Sequence, residues 1–219
     1  KFRKTKLAAL LADPASFSAS HGDEVLLPLE VWTQRLARPC TVFICVAGGD
    51  GGGYEEDEEE ALMEREWVGM VTLRGPFSYE LYRLSGPESP VRVEVEEEEE
   101  EGEDPETRWH LSNLWTSSAH RGRGLAKKMV QECLDFATSE SKRLPGKDKA
   151  RVRLIIKDEG SFLKRMYARM GFDETGRASL REAYIASGDE GCLPRDTSSK
   201  EELIGLWETR FGLVMERVL

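Results

Sequence analysis

The sequence predicts an α/β (α+β) fold, in which strand-like segments alternate with amphipathic helices. Two strand-to-helix transitions lead to this prediction. The first joins the strand-like run Trp109–Thr116 to a helix that begins near Leu125, and the second joins the apolar run Arg151–Ile156 to a helix that ends near Met170. A chain of 219 residues, 39% of them hydrophobic, is also long enough to bury a sizeable core.

Two helices and two strands are predicted in the first half of the chain. Leucines recur on one face of the first helix, and Pro28 suits the first turn of the second. β-Branched and aromatic residues enrich both strands, and Gly75-Pro76 is expected to end the second strand. These elements cover residues 2–12 and 28–38 as helices, and 41–47 and 66–73 as strands. The segment 77–84 is compatible with a strand, a helix or a loop.

In the second half, Trp109–Thr116 is the predicted central strand. The helix that follows it is expected to bury one apolar face and to end before Pro145-Gly146. The polar stretch Thr175–Ser199, rich in glycine and serine, is predicted to be a long connection, and Gly212–Leu219 is predicted to be the last strand. The apolar face that the helix after Trp109–Thr116 is expected to bury consists of Leu125, Met129, Val130, Cys133 and Ala137.

The segment Ala119–Ala126 reads AHRGRGLA and lies between the central strand and its helix. Glycines in a strand-to-helix turn let the backbone approach a ligand closely. The first turn of the helix adds unpaired N–H groups and the positive end of the helix dipole, which suit an anion. Arg121 and Arg123 can add charge-assisted contacts. The segment therefore predicts a site for a phosphate-bearing cofactor.

The spacing of glycines and charged residues in this segment distinguishes among the types of phosphate-bearing ligand that it could bind. A nucleoside-triphosphate loop requires a hydroxyl residue after its lysine, but Lys128 follows Lys127. The dinucleotide pattern Gly-x-Gly-x-x-Gly fails as well, because Lys127 stands where its third glycine belongs. The spacing of Arg121, Gly124 and Ala126 instead resembles Arg/Gln-x-x-Gly-x-Gly/Ala, the pyrophosphate-binding signature of the GNAT superfamily of acyl-coenzyme A N-acyltransferases.

A second motif runs from Tyr167 to Gly171-Phe172. GNAT chains typically carry a leucine-tyrosine pair, two or three residues, and then glycine-phenylalanine at this distance. Gly171 suits the left-handed residue that ends a helix. Taken alone, Tyr167 would be a core aromatic, because its periodicity is shared by Phe162, Leu163, Met166 and Met170. With both motifs in order, the chain is identified as a member of the GNAT superfamily.

The resemblance implies the GNAT fold, a mixed and mostly antiparallel central sheet that is splayed at the cofactor site and flanked by helices. We expect a single GNAT domain over residues 1–219 that lacks its first strand, because the helix over residues 2–12 comes first. Acidic, disordered insertions are expected at about residues 48–65 and 86–106.

The resemblance also implies acetyl-CoA as the cosubstrate, with no metal. In the family, backbone groups of the central strand bind the pantetheine arm and the amides of the loop bind the pyrophosphate. A solvated helix face is the alternative role for Lys127. The predicted cofactor-binding residues are Leu114, Trp115, Thr116, Arg121, Gly122, Arg123, Gly124, Leu125, Ala126 and Lys127.

Tyr167 is the catalytic residue that the resemblance implies, as a general acid that protonates the leaving thiolate. A phenol with a pKa near 10 is protonated at neutral pH. No carboxylate lies between Trp109 and Thr116 to act as a base, and His110 fits a structural histidine better than a catalytic one. Gly160 stands where the family often has an asparagine that contacts pantetheine.

Two functions follow from these residues. The first is an N-acetyltransferase that transfers the acetyl group of acetyl-CoA to a primary amine, by direct attack in a ternary complex. The alternative is a coenzyme A-binding module with weak or no catalysis that serves interaction or regulation. The acceptor, a small amine or an amine of a peptide or protein, is left open because the fold does not choose it.

The net charge of −10 comes from two low-complexity stretches. Residues 55–60 and the region 94–106 contain 16 acidic residues; without them 25 acids face 31 bases, a net charge of about +6. A tail that binds a basic partner is the alternative to solvated loops. Aromatic residues are not interleaved with the remaining basic residues, which argues against nucleic-acid binding.

Cellular context and assembly are predicted only coarsely. The four cysteines show no Cys-x-x-Cys pair and read as free thiols of a reducing, intracellular compartment, cytoplasmic or nuclear. No run of 18 apolar residues and no secretory signal is present, so no membrane association is expected. Trp207 and Phe211 are candidates for a homodimer face.

Overall fold

The computed structural model describes residues 1–48, 58–86, 90, 104–157, 162–192, 205 and 207–219. Its α-helices are α1 (Phe2–Ala12), α2 (His21–Glu24), α3 (Leu29–Leu36), α4 (Glu58–Glu64), α5 (Tyr79–Tyr82), α6 (Leu125–Arg143), α7 (Phe162–Arg169) and α8 (Leu180–Ala186). Its strands are β1 (Cys40–Val46), β2 (Trp67–Phe77), β3 (Glu106–Thr116), β4 (Lys149–Lys157), β5 (Asp173–Ser179) and β6 (Phe211–Val218).

The six strands form one mixed sheet in the order β1-β2-β3-β4-β6-β5. β3 and β4 are parallel, in a register that runs from Glu106–Lys149 to Leu111–Leu154. β6 is antiparallel to both of its neighbours, β4 and β5. A mostly antiparallel sheet flanked by helices confirms the predicted fold class. None of the helices in the described ranges has the length and hydrophobicity needed to cross a bilayer.

The chain divides into two compact units. Unit 1 comprises Lys1–Leu73 and Asn113–Cys133, and unit 2 comprises Arg74–Ser112 and Leu134–Leu219. The predicted single domain, the absence of its first strand and the nature of the insertions stay predictions. Residues 49–57, 87–89 and 91–103 of those insertions lie outside the described residues, whereas α4 falls inside the first of them.

The core of unit 1 is aromatic. Phe2, Trp32, Trp67 and Met70 are buried together, and the rings of Phe2 and Trp32 meet edge to face with their centroids 6.2 Å apart. A buried ion pair lies beside this cluster, where the Arg35 guanidinium donates to the Glu24 carboxylate at 2.5 and 2.9 Å. α1 and α3 are therefore held against the sheet by apolar burial and by one desolvated charge pair.

Unit 2 is built around the parallel pair β3 and β4. Trp109 on β3 is 1% exposed, and its ring centroid lies 6.0 Å from that of Phe136 on α6. The last strand, β6, also lies in this core, with Leu213, Val214 and Met215 buried. On α6, Ala137 of unit 2 is fully buried, as predicted; of the α6 residues in unit 1, Cys133 is fully buried, as predicted, whereas Leu125 is only partly buried.

Gly75-Pro76 does not end β2, and this prediction was wrong. The strand continues to Phe77. Gly75 has φ +134°, and a Cβ on it would lie 2.6 Å from the Arg108 carbonyl oxygen and 3.0 Å from the Trp109 ring. Glycine is therefore required for the close approach of β3, and the chain does not turn there.

The predicted connection Thr175–Ser199 contains regular structure and is also corrected. β5 occupies Asp173–Ser179, and α8 follows directly. β5 is polar because it is the edge strand of the sheet, where side chains remain solvated. α8 begins with a capping box, in which Ser179 Oγ accepts from the Glu182 amide at 3.2 Å and the Glu182 carboxylate accepts from the Ser179 amide at 2.8 Å. Residues 193–199 lie outside the described residues.

Candidate functional site

The segment that connects β3 to α6 belongs to unit 1. Its start is fixed to β2, because the Ser117 amide donates to the Val68 carbonyl at 2.8 Å. A 3₁₀ turn over Ser118–His120 follows, in which the His120 amide donates to the Ser117 carbonyl at 2.9 Å. These bonds define where the chain leaves the sheet and where the glycines begin.

Gly122 and Gly124 both have φ +77°, in the left-handed region. A Cβ built on either residue would meet no atom within 4 Å. The space around the loop is open, so the requirement for glycine is conformational rather than steric. At these two glycines the segment therefore adopts the backbone conformation that lets a ligand approach closely.

α6 begins directly after Gly124. Its first intrahelical bond joins the Lys128 amide to the Gly124 carbonyl at 3.1 Å, so the amides of Leu125, Ala126 and Lys127 have no partner within the helix. The helix runs for 19 residues, so its aligned peptide dipoles place a positive potential at this end. The loop and the first turn together suit a phosphate group.

The cations of the segment differ in their surroundings. Arg121 forms an ion pair with Asp13 and donates through Nε to the Thr116 carbonyl at 3.3 Å. Arg123 and Lys127 are exposed beside the helix N-terminus. Arg121 therefore braces the loop against the end of α1, whereas Arg123 and Lys127 are the cations that face solvent.

The predicted pantetheine residues Leu114, Trp115 and Thr116 are partly buried at the end of β3. They follow Asn113, whose φ of +56° interrupts the extended backbone. The Asn113 amide donates to Thr72 Oγ1 at 3.1 Å, and its side-chain oxygen accepts from the buried Lys6 ammonium. This irregularity was not predicted, although asparagine is the residue that most readily takes the left-handed region after glycine.

Tyr167 lies in unit 2, on α7, and is 2% exposed. Its ring meets Phe172 edge to face, with centroids 5.5 Å apart. Gly171 has φ +80° and ends the helix as predicted, while the Phe172 amide donates back to the Tyr167 carbonyl at 3.1 Å. Phe162 is 66% exposed and departs from the expected apolar periodicity. The catalytic role of Tyr167 stays a prediction.

His110 is 1% exposed, as expected for a structural histidine. Its Nδ1 accepts from Arg153 Nε at 3.4 Å, and its Nε2 lies 3.4 Å from Ser187 Oγ. Burial lowers the pKa of His110 well below its ordinary value, and the nearby Arg153 and Arg74 charges lower it further. Two further carboxylates that could serve as a base, Glu30 and Glu66, are exposed, and Gly160 lies outside the described residues.

Comparison with known proteins settles the family. A model of the acetyltransferase (GNAT) family matches residues 54–172, more than half of the chain, and includes both motifs. The chain belongs to the GNAT family. This confirms the family that the two motifs predict. No curated protein sequence matches this GNAT chain.

One solved structure with a TM-score above 0.5 supports the same fold, and two others are similar at lower scores. The crystal structure of Arabidopsis thaliana NAA60 in complex with a bisubstrate analogue has a TM-score of 0.53 at 15% identity, covering 98% of this chain and 94% of that one. The same protein in complex with acetyl-CoA has a TM-score of 0.47 at 13% identity, with the same coverage. Ribosomal-protein-alanine N-acetyltransferase from Brucella melitensis has a TM-score of 0.48 at 16% identity, covering 99% and 94%.

Proposed function

We propose that this GNAT protein is an N-acetyltransferase that transfers the acetyl group of acetyl-CoA to a primary amine by direct attack in a ternary complex. The observation that supports it most is the left-handed pair Gly122 and Gly124 at the N-terminus of the 19-residue helix α6, within the family's pyrophosphate signature. The solved structure of NAA60, which shares the fold, contains a bisubstrate analogue.

In this proposal the cofactor is bound mostly by backbone. The amides from Gly122 to Lys127 bind the pyrophosphate, and the backbone of Leu114–Thr116 binds the pantetheine arm. Arg123 and Lys127 neutralise the phosphate charge, because they are exposed at the loop. Arg121 contributes by positioning the loop through its ion pair with Asp13.

The chemistry requires one proton donor. Acetyl-CoA supplies an activated acyl thioester. The neutral acceptor amine forms a C–N bond to the acyl carbon, the C–S bond breaks, and the departing thiolate takes a proton. Tyr167 is proposed to donate that proton, because it occupies the tyrosine of the family motif and a phenol is protonated at neutral pH. The excess proton of the amine leaves to solvent or to a base.

The acceptor class is a primary amine, either small or on a peptide or protein. A homodimer through Trp207 and Phe211 is a further proposal. Trp207 already packs edge to face on Tyr184 within unit 2, with ring centroids 4.7 Å apart, so part of this face is used internally.

A thiol-release assay tests the proposal. Purified protein, acetyl-CoA and a panel of primary amines and N-terminal peptides are incubated, and the acetylated product is confirmed by mass. We expect release that depends on both enzyme and acceptor, and that falls in the Tyr167→Phe variant. Acetyl-CoA binding without release for any acceptor contradicts the enzyme and supports the coenzyme A-binding module. We keep the coenzyme A-binding module as an alternative because no general base is evident between Trp109 and Thr116: His110 is buried, and no carboxylate lies in this range.

A further inference from the structure

A row of polar side chains crosses the sheet of unit 2. His110 on β3 is in register with Arg153 on β4, and Arg153 is in register with Glu216 on β6. Arg74 on β2 packs against Gly188, the neighbour of Ser187 in the turn after α8, and its charge helps to lower the pKa of His110. The turn after α8 covers this end of the row, with Ser187 Oγ 3.4 Å from His110 Nε2.

Arg74 is the member of the row that has unpaired hydrogen-bond donors. Its Nε and Nη1 atoms are buried and have no hydrogen-bond partner. A Cβ on Gly188 would lie 2.4 Å from Arg74 Cζ, so the guanidinium packs directly against the backbone of the turn. Arg74 as a whole is half-buried, and its two buried nitrogens lack the partners that buried polar groups in proteins normally have.

The other charged groups of the row are already engaged. Arg153 donates to the Tyr82 carbonyl and lies 4.0 Å above the Tyr82 ring. Glu216 accepts from the Tyr82 hydroxyl at 2.8 Å and from Arg151 at 3.4 Å. None of these bonds reaches Arg74 Nε or Nη1.

Glu182, on α8, is a further carboxylate near the row. It accepts from the backbone amides of Ser85, Gly86 and Ser179 at 2.7 to 2.9 Å. Its charge is thus balanced by backbone donors. Arg74 Nε and Nη1 have no acceptor among the residues that the structure describes.

We propose that Arg74 and Ser187, beside His110, form a carboxylate-binding site in unit 2. The site offers one guanidinium with two unpaired N–H donors, one hydroxyl and one buried imidazole. A monoanion balances the single positive charge, whereas a phosphate dianion would leave a net negative charge in a partly desolvated position. The turn at Gly188 covers the guanidinium, so binding requires this turn to move and then to close over the ligand.

The inference goes beyond the proposed acetyl transfer and does not depend on it. The carboxylate can come from the acceptor itself, such as an amino acid or acidic peptide, or from a separate carboxylate effector. Both sources share the chemistry that Arg74 recognises, a planar monoanion that accepts hydrogen bonds from a guanidinium.

Thermal unfolding in sodium formate tests the site, with sodium chloride at equal ionic strength as the reference. For wild-type protein we expect formate to raise Tm by about 3–6 °C at ten times its Kd. Arg74→Met should lose this shift and should melt higher than wild type in chloride, because it removes two unsatisfied buried donors. Ser187→Ala, a milder change, should weaken formate binding several-fold.

Arg143→Met is the matched control, because the Arg143 side chain is 72% exposed on α6 and should leave the formate shift intact. An unchanged formate shift in Arg74→Met overturns the site. So does a wild-type shift no larger in formate than in chloride.

Amine acceptors matched with and without a carboxylate then separate the two sources. An acceptor-borne carboxylate predicts that Arg74→Met raises KM at least tenfold for the carboxylate-bearing amine only. If the carboxylate belongs to a separate effector, Arg74→Met should change KM equally for both amines, and formate should still raise the Tm of the wild-type protein. If no amine is acetylated, the formate arm still decides the site, so failure of the proposed function and failure of this inference are distinguishable.

Discussion

Gly124→Ala tests the conformational argument at the cofactor loop. Gly124 has φ +77°, and the position of its missing Cβ is open to 4 Å. The alanine variant therefore makes no clash, and its cost is the left-handed backbone itself, about 1–2 kcal/mol. Part of this cost is offset because alanine lowers the entropy of the unfolded chain, by about 0.4–1 kcal/mol. The net loss of unfolding free energy should be about 1 kcal/mol.

Gly22→Ala is the matched control. Gly22 lies in unit 1 like Gly124 and is exposed on α2, and its Cβ position has only an ordinary contact, at 3.8 Å from Ser20 Oγ. Its backbone is not left-handed, so the substitution should stabilise by about 0.4–1 kcal/mol. The difference between the two variants isolates the left-handed strain, about 1–2 kcal/mol.

Urea denaturation followed by tryptophan fluorescence measures this difference. Trp32, Trp67 and Trp115 report on unit 1. Gly124→Asn should be less destabilised than Gly124→Ala, because asparagine tolerates the left-handed region better. If the loop of the alanine variant relaxes in the free protein, binding of acetyl-CoA must restore its left-handed conformation. The Kd for acetyl-CoA should then rise by about 5- to 30-fold at most. Equal stability of the Gly22 and Gly124 alanine variants together with an unchanged Kd for acetyl-CoA, or a less stable asparagine variant, refutes the reasoning.

Three further predictions concern chemistry, charge burial and pH. Tyr167→Phe should lower kcat by roughly 10²-fold with the Kd for acetyl-CoA unchanged, because only the proton donor is lost. Glu24→Gln should cost about 3–5 kcal/mol in urea denaturation, because Arg35 would stay buried without its partner; combining it with Arg35→Met should recover much of the loss. His110 has a folded-state pKa below its unfolded value, so its contribution to stability is complete above about pH 6.5 and is lost as pH falls, by at most about 1.4 kcal/mol per unit. His110→Gln should flatten this pH dependence.

Each of these predictions has a contradicting result. A Tyr167→Phe enzyme with wild-type kcat removes the general acid from the mechanism. A double variant at Glu24 and Arg35 as unstable as Glu24→Gln alone would mean that the ion pair contributes net stability beyond charge compensation. An acid dependence of stability that persists in His110→Gln would assign the effect to other groups.

The sequence predicted the structure correctly where neighbouring residues alone determine the conformation. Apolar periodicity predicted α1 over residues 2–12 with the observed bounds. The left-handed residue Gly171 was predicted because a helix pattern ended there. The loop before α6 was predicted for the same reason, since its glycines and the following helix are contiguous in the chain.

Long-range contacts explain what the sequence did not show. Gly75 was interpreted as a strand end because its requirement comes from the approach of Arg108 and Trp109, more than 30 residues away. β5 was interpreted as a connection because an edge strand can be polar throughout, although the Ser179–Glu182 capping box was visible as Ser-x-x-Glu. The two unpaired buried nitrogens of Arg74 belong to a guanidinium that packs against Gly188, a contact that no local pattern predicts.

Isothermal titration with acetyl-CoA tests the central claim most directly. Gly124→Glu places a carboxylate in the open space before α6 while Arg121 keeps its brace to Asp13, and Gly22→Ala serves as the folded control. The account predicts binding with a Kd on the order of micromolar by wild type and by the control, and a loss of at least tenfold in Gly124→Glu. Absence of binding by wild type, or equal binding by Gly124→Glu, contradicts the assignment of this loop as the coenzyme A site.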